Sequence, residues 1–162
     1  MNKIQLRNLD TTAKTFLIFF LTTMLVGIFT GLGYIYYTTD MNTHGTIEHY
    51  NGSIVEKDEI PEEFPKPLEG MILTTHAHVN SFALISFAIG IVFYFGSIIT
   101  GKLKMFILIE PFISTMITFI SLWLLRYVNE SFVYIVMISG ILMYSFWIIM
   151  ILISLYELCS KK

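Results

Sequence analysis

Four unbroken apolar runs decide what this chain can become. Phe16–Tyr37, Val79–Ile99, Met105–Leu125 and Phe132–Leu155 each reach or exceed the roughly 20 residues that a helix needs to cross about 30 Å of hydrocarbon. A backbone in lipid has no water to bond to and must satisfy its own polar groups, so such runs become helices. The expected fold is an all-α membrane protein, a four-transmembrane-helix bundle with spans at about 15–38, 71–99, 104–126 and 131–156. The chain reads as a single integral membrane domain over 1–162, with an outer loop of about 30 residues, 39–70, joining the first two spans. Composition agrees: 55% hydrophobic residues and a mean hydropathy of +0.70 are far from soluble averages. The lipid bilayer is thus the first partner. A net charge of -2 gives no reason to expect nucleic acid.

The basic residues set the orientation. Lys3, Arg7, Lys14, Lys102, Lys104, Lys161 and Lys162 fall on one side, against Lys57, Lys66 and Arg126 on the other. Excess positive charge marks the cytoplasmic face, so both termini are expected in the cytoplasm of a bacterial inner-membrane, multi-pass protein. The first run ends in Tyr34, Tyr36 and Tyr37 rather than a small-residue cleavage site, and reads as an uncleaved anchor. Its Thr23, Gly27 and Gly31 form a small-residue face expected to pack within the bundle, homodimerisation being the alternative. The outer loop holds Asp40, Glu48, Glu56, Asp58, Glu59, Glu62, Glu63 and Glu69, with a turn signal at Asn51-Gly52 and prolines at 61, 65 and 67. It reads as an ordered acidic cap or a docking surface. The lone Cys159 permits no intramolecular disulfide.

Polar groups cluster at the start of the second run, Thr74-Thr75-His76-Ala77-His78-Val79-Asn80-Ser81. Such residues in lipid normally face a bundle interior, a wet cavity or a ligand. At about 100° per residue, His76, Asn80, Ala83, Phe87 and Gly90 share a small, polar face expected to point inward. His78 lies about 200° away, on a face with Ile85 and Gly96, and is expected to point outward. Met137, at a matching depth in the fourth run, is a possible neighbour of His76, and His44 and His49 lie in the outer loop. The third run carries Glu110, Ser114, Thr118 and Ser121 along one face, with Pro111 after the glutamate. Glu110 is the sole carboxylate inside an apolar run; pairing with Lys102 or Lys104 is expected, with proton handling or partner binding as the alternative. Asn129-Glu130-Ser131 is a plausible cap for the fourth run.

Two resemblances follow from these residues. Thr75-His76-Ala77, followed by Phe82, Phe87 and a glycine-bearing apolar run, looks like the second helix of the large subunit of haem-copper oxidases, where the histidine of a similar stretch binds the low-spin haem. His76-Ala77-His78, Ile109-Glu110-Pro111 and Met137-Ile138-Ser139-Gly140 resemble corresponding stretches in an uncharacterised family of bacterial four-helix membrane proteins. The first resemblance implies a redox-associated, respiratory protein binding haem b near the outer face, with His76, His78, Asn80 and Met137 as cofactor-site candidates. Copper or zinc held by His76, His78, His44 and His49 is the alternative cofactor. The competing function is a non-catalytic accessory or scaffold subunit, working as a homo-oligomer or with other membrane subunits. No nucleophile with an evident base is present, Glu110 and His76 lie at opposite ends of their spans, and no catalytic residue is assigned.

Overall fold

The computed structural model describes residues 5–53 and 60–160. Its regular elements are all helical: α1 (Thr11–Thr39), α2 (Thr43–Asn51), α3 (Leu68–Tyr94), α4 (Gly101–Tyr127) and α5 (Val133–Cys159), with short 3-10 turns at Leu6–Asn8 and Glu130–Phe132. Four of them, α1, α3, α4 and α5, are long and apolar enough to cross a membrane, and the protein is a multi-pass membrane protein. The 27 residues of α3 extend about 40 Å at 1.5 Å each. Successive spans alternate in direction. The segment containing α2 closes one end of the bundle, here the cap end; the N-terminal turn and the α3–α4 connection close the other, the basal end.

Local chemistry sets the helix boundaries. The Asp10 side chain accepts the Ala13 N–H at 3.0 Å to start α1, and Asn42 accepts the Gly45 N–H at 2.8 Å to start α2, each satisfying an otherwise orphaned donor. At Gly52 the backbone turns through φ 87°. A Cβ there would stand 2.7 Å from Pro65 Cδ, so only glycine fits. That turn lets Ser53 N–H reach Glu63 O at 2.9 Å and Lys66 N–H reach Tyr50 O at 3.0 Å. The cap is therefore folded down onto the bundle, where Arg126 Nε donates to Lys66 O at 3.1 Å. The share of the acidic-loop expectation that rests on Glu56, Asp58 and Glu59 lies outside the described residues.

The core is built around α4 and α5, which make the most extensive helix–helix contact. Its larger cluster runs from mid-bundle to the basal end and includes Leu21, Ile89, Phe93, Ile107, Met143, Trp147 and Met150; a smaller cluster of Met71, Phe119 and Leu122 sits under the cap. Along α3 the inward stripe runs through Met71, Thr75, Phe82, Ser86, Ile89 and Phe93, with the exposed His78 at its rim. Helix α1 is peripheral: only 11% of its apolar window is buried. It turns Leu21 and Ile28 inward. Within the chain's own bundle the small-residue face is left largely unpacked, since Thr23 and Gly27 are exposed and, of the three, Gly31 alone is close to a neighbour, Tyr144.

The second span ends at Tyr94 instead of Ile99, and the chemistry of the basal end gives the reason. Lys104 Nζ donates to Tyr94 O at 2.8 Å and Gly96 O at 2.6 Å, binding carbonyls that the end of a helix leaves open. Glu157 of α5, fully buried, accepts from Ser97 N–H at 2.8 Å and Ser97 Oγ–H at 2.6 Å. Arg7 Nε lies 3.7 Å from the same carboxylate, and Leu6 N–H donates to Phe95 O at 3.1 Å. One side chain thus ties the N-terminal turn, the α3–α4 connection and α5 together. Glu110 is not the sole buried carboxylate of the spans, because α5 continues past its apolar run to enclose Glu157.

Replacing Glu157 by Ala should cost about 2–4 kcal/mol, since the buried Ser97 donors and the Arg7 charge lose their acceptor. Arg7→Ala should cost less than about 1 kcal/mol, because that side chain is half exposed. Reversible unfolding in detergent micelles measures both; equal losses would show that Glu157 acts only through Arg7.

Candidate functional site

Near the cap end, α3 and α4 diverge enough to leave an open groove of about 500 Å³ on the flank of the bundle. Thr75, His76, Val79 and Asn80 line it from α3, and Met116, Phe119, Ile120, Trp123 and Leu124 from α4. Its walls are apolar and aromatic. The α3 side supplies the polar groups, about 12 Å along the helix from Leu68. His76 Nδ1 and Asn80 Nδ2 lie 3.4 Å apart across one turn. The Asn80 amide carries both a donor and an acceptor and can serve either tautomer of the imidazole. Trp123 Nε1 donates to Thr75 Oγ1 at 2.9 Å and pins α4 to α3 at the same level. Among the described residues no lysine, arginine, aspartate or glutamate lines the groove.

Of the two α3 histidines, both exposed, His76 does not take the inward place expected for it. His78 is exposed at the rim of an aromatic cluster, edge-on to Phe82 with ring centroids 5.4 Å apart and 6.0 Å from Phe119. Phe82 in turn meets Trp147 at 5.1 Å. His78 Nδ1 is 2.9 Å from Thr74 O, and as a carbonyl only accepts, that nitrogen carries the proton. The rotation of α3 follows from its indole partners: Trp147 Nε1 donates to Ser86 at 2.9 Å and Trp123 to Thr75, so Ser86 and Thr75 must face α5 and α4. His76 and Asn80 are then carried round to the flank. Polarity alone was a misleading guide to the inward face, because hydroxyls with aromatic N–H partners satisfied the interior better.

The remaining candidates lie elsewhere. Met137 is half-buried on α5 and does not line the groove, which α3 and α4 form alone. His44 is exposed on α2, 3.7 Å from Glu48. His49 stacks edge-on with Tyr50 at 5.0 Å. Among the described residues no three His, Cys, Asp or Glu side chains gather to hold a metal ion. Glu110 is buried in the α4–α5 seam and is held by the Ser114 hydroxyl; Lys104 is directed at the Tyr94 and Gly96 carbonyls. That seam continues through Thr118 and Ser139, whose hydroxyls are 2.7 Å apart, and Thr115, 3.2 Å from Met143 Sδ. Ser139 belongs to the Met137–Gly140 stretch singled out in the sequence, and its role there is this contact.

In the cap, burial and then the nearby Lys66 charge hold the His49 imidazole below its ordinary value of 6.5, against an opposing pull from Glu63. Burial, with Tyr34 close by, pushes the Tyr50 phenol up to about 12, and Lys66 lies over its ring at 5.0 Å. A base with a depressed folded-state pKa binds fewer protons folded than unfolded. Its contribution to stability is therefore complete above pH 6.5 and is lost as pH falls through 6.5 toward the lower, folded-state value. Amide exchange in α2, corrected for intrinsic rates, should accelerate over that window, and His49→Gln should remove the pH dependence. A second expectation concerns the groove: a double-mutant cycle of Thr75→Val and Trp123→Phe should give a coupling of about 0.5–1.5 kcal/mol, whereas strict additivity would mean that the bond contributes nothing.

No curated protein and no solved structure matches the chain, so the likeness to the oxidase helix stays confined to the residues that carry it. A family model does match. Residues 40–162, which hold α2 to α5, match the model of the Aq_1264_TM family, described as a transmembrane helical domain. That match covers more than half of the 162-residue chain, and the chain belongs to this family.

Proposed function

We propose that this chain is a non-catalytic membrane binding domain that takes a lipid-soluble molecule into the α3–α4 groove, its polar head against His76, Asn80 and Thr75. The observation that carries this reading is the chemistry of the groove: apolar and aromatic walls, hydrogen-bonding groups along α3, and no charged side chain among the described residues of the lining. A site of that kind favours a neutral, hydrogen-bonding head on an apolar body over an anionic headgroup. In the same reading both termini are cytoplasmic, the cap faces outward from a bacterial inner membrane, and the exposed Thr23 and Gly27 of α1 meet a second copy or another membrane subunit.

A second reading, a haem b protein with a respiratory role, is favoured by the placing of Asn80 beside His76 Nδ1, which leaves Nε2 as the nitrogen open to a ligand. Bound haem would supply one-electron redox chemistry. The donor set fits this group only in part, since the groove offers one imidazole and neither Met137, His78, His44 nor His49 lines it. Within one chain the residues do not fit a doubly ligated haem, and a shared copper or zinc centre has still less support among the described residues.

Purification in mild detergent, extraction and mass spectrometry should recover a near-stoichiometric apolar compound. Replacing His76 and Asn80 together by Ala should lower its retention about tenfold, equivalent to ~1.4 kcal/mol. A reduced-minus-oxidised spectrum with a Soret band lost in His76→Ala would favour haem instead. Protein from haem-replete cells with neither compound nor chromophore would defeat both readings. Labelling of a cysteine placed at Asn51 from the cytoplasmic side only would reverse the orientation.

A further inference from the structure

Glu110 faces α5 from the basal half of α4 with 7% of its surface exposed. Its two oxygens have different surroundings. Oε1 accepts the Ser114 hydroxyl, whereas Oε2 is buried with no hydrogen-bond partner among the described residues. Neighbouring hydroxyls of the seam are satisfied: Thr115 donates to Pro111 O at 2.7 Å, and Thr118 and Ser139 bond to each other. Among the described residues Asn51 Oδ1 and Ser154 Oγ are also buried without a partner, but Glu110 Oε2 is the one carboxyl oxygen among these atoms.

A second polar group is freed by covalent structure. Pro111 lies inside α4 and has no N–H, so the Ile107 carbonyl four residues earlier loses its helical donor. Glu110 follows Ile107 by three residues, on the same face, and helical side chains lean back toward the preceding turn. A carboxyl oxygen without a partner and a carbonyl that has lost its helical donor thus lie within one turn of a membrane span. An ionised carboxylate would bring a further acceptor to that turn, and an unpaired charge in lipid is costly. A hydrogen on Oε2 would satisfy both groups.

We infer that Glu110 is a proton-binding site within the membrane, held as a neutral acid whose Oε2–H donates to the Ile107 carbonyl while Oε1 accepts from Ser114. Glu157 provides the internal contrast. It is more deeply enclosed, with 0% of its surface exposed, but Ser97 N–H, Ser97 Oγ–H and Arg7 surround its oxygens with donors and positive charge. Those surroundings suit a carboxylate.

Dicyclohexylcarbodiimide reacts with protonated carboxyls in apolar surroundings. The acid proton passes to a carbodiimide nitrogen, the carboxyl oxygen bonds to the central carbon, and rearrangement leaves a stable N-acylurea with no further reactant. Treatment of the full chain in detergent at neutral pH, followed by peptide mass spectrometry, should place the adduct on Glu110 and leave Glu157 unmodified. Preferential modification of Glu157 would overturn the assignment. Infrared spectroscopy decides the matter without depending on reagent access: wild type minus Glu110→Gln should contain a carboxylic acid carbonyl band. A pair of carboxylate bands in its place would refute the neutral acid. The Glu110→Gln variant keeps an N–H donor and an oxygen acceptor at this position and should fold; the labelling arm on the wild-type chain needs no variant.

Discussion

The close contact between α4 and α5 is the interaction on which the other elements depend. Lipid offers no hydrophobic drive for two helices to leave it, so association relies on small side chains, tight packing and interhelical hydrogen bonds. Ser114, Thr115, Thr118 and Ser121 of α4 and Ser139 of α5 are all buried, and the Thr118–Ser139 bond crosses the interface. With that pair formed, α3 settles on both helices through two indole N–H donors, one from each. The cap then rests on the loop side of α4, through Arg126 and through Asn51, whose Nδ2 reaches Leu125 O at 3.5 Å.

The number and type of the membrane elements were legible in the sequence because bilayer thickness imposes a length on every apolar run. The cap was legible in part: Asn51-Gly52 marked the turn, and Asn129 marked the entry to α5, where its side chain accepts from Ser131 N–H at 2.8 Å. The rotation of α3 was not legible. Two faces of that helix carry polar residues, and the choice between them rests on tryptophans 48 and 61 residues away in the chain. Glu157 was missed for a related reason. It lies beyond the last apolar run, and nothing local shows that Ser97 and Arg7 close over it. One signal was available: a single acidic residue among Leu155, Tyr156 and Leu158 is an unusual thing to leave unpaired at a membrane boundary.

The site residues divide along the same line. Residue type drew attention to Thr75, His76 and Asn80, which line one groove, and to Glu110, which is buried. Grouping failed where it assumed that chemically similar side chains converge. The four histidines serve separate environments: an exposed helix surface, a cap aromatic, the exposed rim of an aromatic cluster and a flanking groove.

The peripheral position of α1 also bears on how the protein is made. Among the described helices it is synthesised first, yet its main contact among the spans is with α5, synthesised last. At 5–20 residues per second, roughly 5–20 s separate completion of α1 from that of the start of α5. During that interval α1 waits in the bilayer without its partner, exposing Thr23 and Gly27 to any other helix nearby. Arg7 cannot meet Glu157 until the ribosome has passed the end of α5. The bond between the first and last turns of the bundle is accordingly a late event, and it separates a finished molecule from a chain that is merely inserted.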